Sequence, residues 1–359
     1  MKQKRNKKGI ALRILGAVLA VWIVILAVNH ETVRVAFYTA YNPQNELDAD
    51  GWTGGAVYEN VRYADVSESD YVNIYVPEAD VPPQLIVLVH GGGFVSGDAE
   101  TRQTQLFYQY FRDRGYACAS VNYRLAQEAP FPAAVEDVKA AVRFLRANAE
   151  KYGYDAEKIA IWGESAGGYL AVMAGVTAED EFNDLPFIGE DELEERVSGQ
   201  IAAVLDFYGA MELEPKAERR AAFKALGIHI PGFAFDIADA WVAQSLKDYP
   251  EYETVEELWL RQNIADMSAE ERNYFTPMYY AQKNLTPDSD IHILILHGDA
   301  DITVPRSQSQ HLYDALVGAM GEGRAQIRYI HNAPHAGEKL YTDAALGEVE
   351  AYLRIALGN

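Results

Sequence analysis

Cysteine is nearly absent from this chain. Cys118 is the only one in 359 residues, which excludes an intrachain disulfide. It lies in the apolar run "YACASVNY" (Tyr116–Tyr123), where nothing nearby would lower its pKa, so it reads as a core residue and not as a nucleophile. Positive charge is also scarce: 31 Lys and Arg stand against 53 Asp and Glu, for a net charge of -22. Lys2, Lys4, Arg5, Lys7, Lys8 and Arg13 are the only charged residues before Glu31, so with those six set aside the rest carries -28. So acidic a body repels nucleic acid and anionic lipid, and no nucleic-acid partner is expected. The eight histidines form no metal-binding pair on a helix and the cysteine is isolated; no metal or cofactor is expected. No internal repeat or low-complexity tract is visible. Hydrophobic residues make up 49%, enough for a real core and too many for a disordered chain.

Long uncharged apolar runs are limited to one. From Ile14 to Val28 there is no charge, and extension back to Gly9 gives a 20-residue stretch broken only by Arg13, whose stem can snorkel. With the basic head before it, this segment is expected to be an uncleaved signal anchor, because Asn29-His30-Glu31 offers no small-x-small cleavage site. The head would stay cytoplasmic and the acidic body extracytoplasmic. A cleaved signal peptide, and so a secreted protein, is the alternative. The expected division is residues 1–28 as head and membrane anchor and 29–359 as one domain.

The remainder alternates between two patterns. Short apolar runs bounded by turn residues lie at Tyr71–Pro77, Gln84–His90, Tyr116–Tyr123, Lys158–Trp162, Ile201–Tyr208, Ile291–His297 and Gln326–His331. Near-continuous apolar strands are expected where helices cover both sheet faces. Helical periodicity falls between them, at Gln103–Arg114, Pro132–Lys151, Ala166–Val176, Ser307–Val317 and Ala344–Ile355. This alternation predicts an α/β fold with a mostly parallel, doubly wound sheet. Met211–Gln282 breaks the rhythm with helical pieces and no strong strand, so an insertion of about residues 211–282 is expected over the sheet. A second, acidic insertion is expected at Ala178–Glu195.

Two motifs point to chemistry. "IWGESAGGYLA" (Ile161–Ala171) is a strand, a Gly-x-Ser-x-Gly turn and a helix. That context lifts Ser165 clear of the sheet as a nucleophile, with glycines where the strained turn leaves no room for side chains; a helix N-cap serine is the bland reading. "LIVLVHGGGFVSG" sets three glycines after an earlier strand, where exposed N–H groups can receive an oxyanion. The N–H of Ala166 at a helix N-terminus is a further candidate donor. A base and an acid should follow in the order Ser, Asp, His. Asp299 and Asp301 end one predicted strand, and His331 and His335 follow the next. A turn-forming Asp and a strand-terminal His are the structural alternatives.

Taken together, "HGGGF", "NYRLA" (Asn122–Ala126), "FPAAVEDVKAAVRFLR" (Phe131–Arg146), "GESAGGYLA", "HGDADITVP" (His297–Pro305) and "PHAG" (Pro334–Gly337) resemble the α/β-hydrolase serine esterases. The resemblance is to the bacterial carboxylesterase group with the BD-FAE (feruloyl/acetyl-xylan-esterase-like) and hormone-sensitive-lipase-like enzymes. It runs from about Asp70 to the C-terminus, apart from the long insertion. It implies an α/β-hydrolase fold with a helical cap, Ser165 as nucleophile, His335 as base, Asp301 as acid, and Gly92, Gly93 and Ala166 as oxyanion donors. The implied substrate is a carboxylic ester, small or attached to a polysaccharide. Two rivals remain: a serine peptidase of the same fold, though there is no room for the propeller that prolyl-oligopeptidase-type enzymes carry, and a non-catalytic binding protein, which would typically have lost the nucleophile or base.

Overall fold

A computed structural model describes residues 55–190, 193, 195–226 and 240–358. The expected membrane anchor, Gly9–Val28, lies outside the described residues. Among the described residues, no helix is long and apolar enough to cross a membrane.

Eight strands form one sheet: β1 (Gly55–Arg62), β2 (Tyr71–Pro77), β3 (Gln84–Val89), β4 (Ala117–Val121), β5 (Asp155–Glu164), β6 (Ala203–Phe207), β7 (His292–Gly298) and β8 (Ala325–Ile330). Their order is β1-β2-β4-β3-β5-β6-β7-β8. β2 runs antiparallel to both β1 and β4, and the other pairs are parallel. This is the α/β-hydrolase arrangement. Seven strands coincide with the apolar runs of the sequence. β1 does not: "GAVYENVR" lies on the sheet edge and has no fully buried residue, so it carries no apolar run to betray it.

The apolar runs are continuous because successive side chains enter different cores. Leu85, Val87 and Val89 of β3 pack with helices Ala133–Ala147 and Ala166–Val176. Ile86 and Leu88 pack on the other face with Phe107 and Phe111 of helix Arg102–Arg112 and with Val349 and Leu353 of helix Asp343–Leu357. Trp162 of β5 is fully buried there and stacks on Phe107 at 4.5 Å. Cys118 is buried in the same layer, and burial pushes its thiol up.

Between β6 and β7 the described residues form helices and loops, with no strand among them. Helices Lys216–Ala225, Val255–Leu260, Ala269–Tyr274 and Pro277–Asn284 lie in this region. Thr254 and Ser268 start two of them with capping boxes, each satisfying two otherwise unpaired N–H groups. The acidic segment after Ala178 is tied to the sheet-covering helix Ala133–Ala147. Lys139 Nζ donates to the Ala178 carbonyl at 2.7 Å, and Arg143 pairs with Glu190 at 3.1 Å.

Candidate active site

The parallel strands end on one side, where open α/β sheets gather ligands. β3 and β5 are neighbours in register, Val89 opposite Gly163, so the glycine loop after β3 and the serine turn after β5 emerge side by side. Ser165 stands between β5 and helix Ala166–Val176 with φ +51° and ψ -119°. A non-glycine residue at positive φ is strained, and its neighbours hold it there. The Ser165 N–H donates to the Phe207 carbonyl at 2.9 Å. On the helix side, a Cβ added to Gly167 would lie 2.2 Å from the Val89 carbonyl oxygen, so only glycine lets the helix enter this close to β3.

Asp301 follows β7 and His335 follows β8, and the fold brings both to the serine. His335 Nε2 lies 3.0 Å from Ser165 Oγ, and its Nδ1 lies 2.7 Å from Asp301 Oδ2. Asp301 is fully buried, and the His335 side chain is 11% exposed. The Thr303 and Val304 N–H groups donate to Asp301 Oδ1 at 2.7 and 3.0 Å. Burial pushes the Asp301 carboxyl up, but His335 and His297 outweigh it and hold the group well below the usual carboxylate range. His335 thus faces Asp301 with Nδ1 and the Ser165 hydroxyl with Nε2.

Asp299 and His331, the competing candidates, form a pair of their own. His331 Nδ1 lies 2.9 Å from Asp299 Oδ2, with the His331 side chain 84% exposed. Asp299 Oδ1 accepts the Asn332 N–H at 2.6 Å. These bonds fasten the loop that carries His335.

Gly92 and Gly93 have φ of +115° and +61°. Among the described residues, no hydrogen-bond acceptor takes the N–H of Gly92, Gly93 or Ala166. The inserted helices lie directly over this loop. A Cβ on Gly93 would sit 2.9 Å from Cη2 of Trp241 and 3.4 Å from Cγ2 of Val255. Phe94 stacks on Trp259 at 4.1 Å. His90, which opens the loop, is buried and stacked on Tyr123 at 4.3 Å. Burial lowers its pKa to about 4, so it is neutral and donates from Nδ1 to the Gly91 carbonyl at 2.7 Å.

The BD-FAE family model matches residues 72–316, more than half of the chain and the stretch that holds both motif loops and Asp301. The chain belongs to the BD-FAE family. Among its relatives is the esterase LipC of Mycobacterium tuberculosis, 28% identical over 258 residues, which are 71% of this chain and 53% of LipC. The chain thus spans about half the length of that relative. A truncated carbohydrate esterase from gut microbiota superposes with a TM-score of 0.64 at 24% identity, covering 86% of this chain and 99% of that one. The Thermogutta terrifontis esterase Est2 with butyrate bound superposes with a TM-score of 0.57 at 23% identity, covering 85% and 95%. At these identities the two structures bear on the fold alone.

Sequence reasoning missed several groups in this BD-FAE site. His297 lies on the far side of Asp301, its Nε2 3.2 Å from Asp301 Oδ2 and its Nδ1 2.7 Å from Ser309 Oγ. Glu164, Tyr208 and Tyr341 form a buried cluster beside Ser165 and His335. Glu164 carried the one available signal, an ionisable residue ending an apolar strand next to the serine. Tyr208 and Tyr341 carried none.

Proposed function

We propose that the chain is a serine hydrolase that cleaves carboxylic esters through an acyl-enzyme. The carrying observation is the unbroken path Ser165 Oγ–His335–Asp301 at 3.0 and 2.7 Å. In the first step His335 Nε2 takes the hydroxyl proton as Ser165 Oγ attacks the ester carbonyl. Asp301 holds the imidazole in the Nδ1–H tautomer and stabilises the imidazolium. The developing oxyanion is received by the N–H groups of Gly92, Gly93 and Ala166, which have no other acceptor among the described residues, and by the positive end of helix Ala166–Val176. The imidazolium then protonates the leaving alcohol. A water activated by His335 hydrolyses the acyl-serine.

Family membership supports the ester as substrate, small or carried on a polysaccharide, as do relatives named as esterases, one of them an ethyl acetate hydrolase of Pseudomonas putida. The basic head and the apolar stretch Gly9–Val28 support a further reading, a single-pass membrane protein with its catalytic domain extracytoplasmic. Protease treatment of intact spheroplasts tests this: the domain is expected to be cut, and its protection would reverse the orientation.

Hydrolysis of p-nitrophenyl acetate by the purified chain tests the activity. Ser165→Ala is expected to lower kcat by roughly three orders of magnitude or more and to abolish labelling by a fluorophosphonate, with the circular dichroism spectrum unchanged. Retention of a tenth of the activity would exclude Ser165 as nucleophile. Turnover of a peptide panel with no ester turnover would favour the peptidase.

A further inference from the structure

The acyl-transfer scheme leaves unused a buried carboxyl next to the nucleophile. Glu164 ends β5, immediately before Ser165, and is 5% exposed. Its Oε1 accepts the Gly91 N–H at 3.4 Å, at the start of the glycine loop. Its Oε2 meets the Tyr208 hydroxyl directly and the Tyr341 hydroxyl at 3.0 Å. The two hydroxyls are themselves 2.6 Å apart. Tyr208 follows β6 at a strained φ of +45°, and its ring packs edge-on against the His335 ring at 4.7 Å. Tyr341 ends the short turn Glu338–Tyr341 beyond His335. One carboxyl thus touches the glycine loop, the serine turn, and the two tyrosines that flank the histidine loop.

The hydrogens can be counted. Three oxygens, Glu164 Oε2, Tyr208 Oη and Tyr341 Oη, make three mutual contacts, and each contact needs one hydrogen. The tyrosines supply two, because burial raises both phenols well above their ordinary value and keeps them protonated. The third must come from the carboxyl. With it, the three O–H···O bonds close a ring, and Oε1 remains a carbonyl acceptor for Gly91. An ionised Glu164 would leave one oxygen pair in contact with no hydrogen between them.

We propose that Glu164 is a positioning residue which, as the neutral acid, closes this ring and so fixes the glycine loop and the His335 imidazole relative to Ser165. The inference rests on the esterase reading given above. The groups facing the carboxyl agree with a neutral state. Tyr208, Tyr341 and Tyr123 approach it uncharged, and His335 is the cationic neighbour during turnover. Burial raises the Glu164 pKa more than His335 and the hydrogen bonds lower it. A neutral acid also adds no second negative charge beside the Asp301–His335 pair. The network therefore sets distance and angle and adds no charge.

The test compares Glu164→Ala, Glu164→Gln and Tyr341→Phe in the full chain with p-nitrophenyl acetate. Glu164→Ala is expected to lower kcat roughly ten- to a hundredfold, the cost of misplacing reacting groups by about an ångström, with KM within about twofold. Glu164→Gln is expected to rescue part of the loss. Its amide oxygen can accept from Gly91 and one N–H can donate to a tyrosine without adding charge, but its second N–H sets four hydrogens on three contacts, so it copies the acid's neutrality and not the closed ring. The acid limb of kcat/KM should stay where the wild type has it. A limb displaced to lower pH by about one unit in Glu164→Gln would reveal a lost negative charge beside His335 and overturn the proposal. So would an Ala variant as fast as wild type. Should Glu164→Ala fail to fold, Tyr341→Phe carries the test. It removes one ring hydrogen and is expected to lower kcat by about threefold or more at unchanged KM; an unchanged kcat would overturn the proposal. Absence of ester turnover by the wild type would instead overturn the esterase reading, and this inference with it.

Discussion

Two Asp–His pairs lie side by side at the ends of β7 and β8, and they are chemically alike. Asp301–His335 spans 2.7 Å and Asp299–His331 spans 2.9 Å. What separates them is burial and a third partner. Asp301 is fully buried with His297 behind it, and His335 reaches Ser165. His331 is 84% exposed. In water an exposed pair of this kind contributes about 0–1 kcal/mol. In the buried pair, any imidazolium formed keeps its partner in a low-dielectric pocket, where the same charge separation is worth several times more. Proximity of acid to base is therefore a poor guide to function. Desolvation and a reacting neighbour are better ones.

The sharpest way to break this comparison is to remove each base. His335→Ala is expected to lower kcat by roughly 10⁴-fold or more, as loss of a triad histidine does elsewhere. His331→Ala should stay within about twofold of wild type, as expected of an exposed pair. Steady-state hydrolysis of p-nitrophenyl acetate decides it. Comparable losses at the two histidines would mean that the exposed loop takes part in catalysis.

A smaller effect is expected from the acids. Asp301→Asn should cost roughly 10³- to 10⁴-fold in kcat, because an amide cannot hold the imidazole in the tautomer that accepts the serine proton. Asp299→Asn keeps the oxygen that accepts the Asn332 N–H, so a change of less than about threefold is expected, in line with a surface substitution. A larger loss at Asp299 would make the loop fastening itself rate-determining.

The smallest effect is one of stability. Asp301 has a folded-state pKa below its unfolded value, since its two histidines outweigh the burial that pushes it up. Its contribution is thus complete above the unfolded pKa of about 4 and is lost as pH falls through the lower folded value. The urea midpoint of the wild type should therefore fall more steeply below about pH 4 than that of Asp301→Asn. Parallel curves would mean that the two histidines do not hold Asp301 ionised.

Much of this molecule was legible before folding. Seven of the eight strands are apolar runs whose boundaries shift by only a few residues, because both faces of a parallel sheet need apolar side chains. The serine turn was legible for a steric reason: glycines stand where backbone approaches backbone, as Gly167 does to Val89. β1 stayed hidden because an exposed edge strand needs no such run. The choice between Asp299 and Asp301 came from family resemblance, and composition or spacing alone left it open.

The sequence by itself determined the order of the elements and the residue types present at the strand ends, since burial and turn sterics act over a few residues at a time. The tertiary structure decided which of those residues meet. Ser165, Asp301 and His335 converge because β5, β6, β7 and β8 lie side by side in register. Glu164, Tyr208 and Tyr341 are far apart in the chain, and their cluster of one carboxyl and two hydroxyls forms only where the strand ends and a turn come together. Hydrogen bonds among such distant residues leave no local periodicity to read. Their strength and their protonation follow from burial, which the folded chain alone creates.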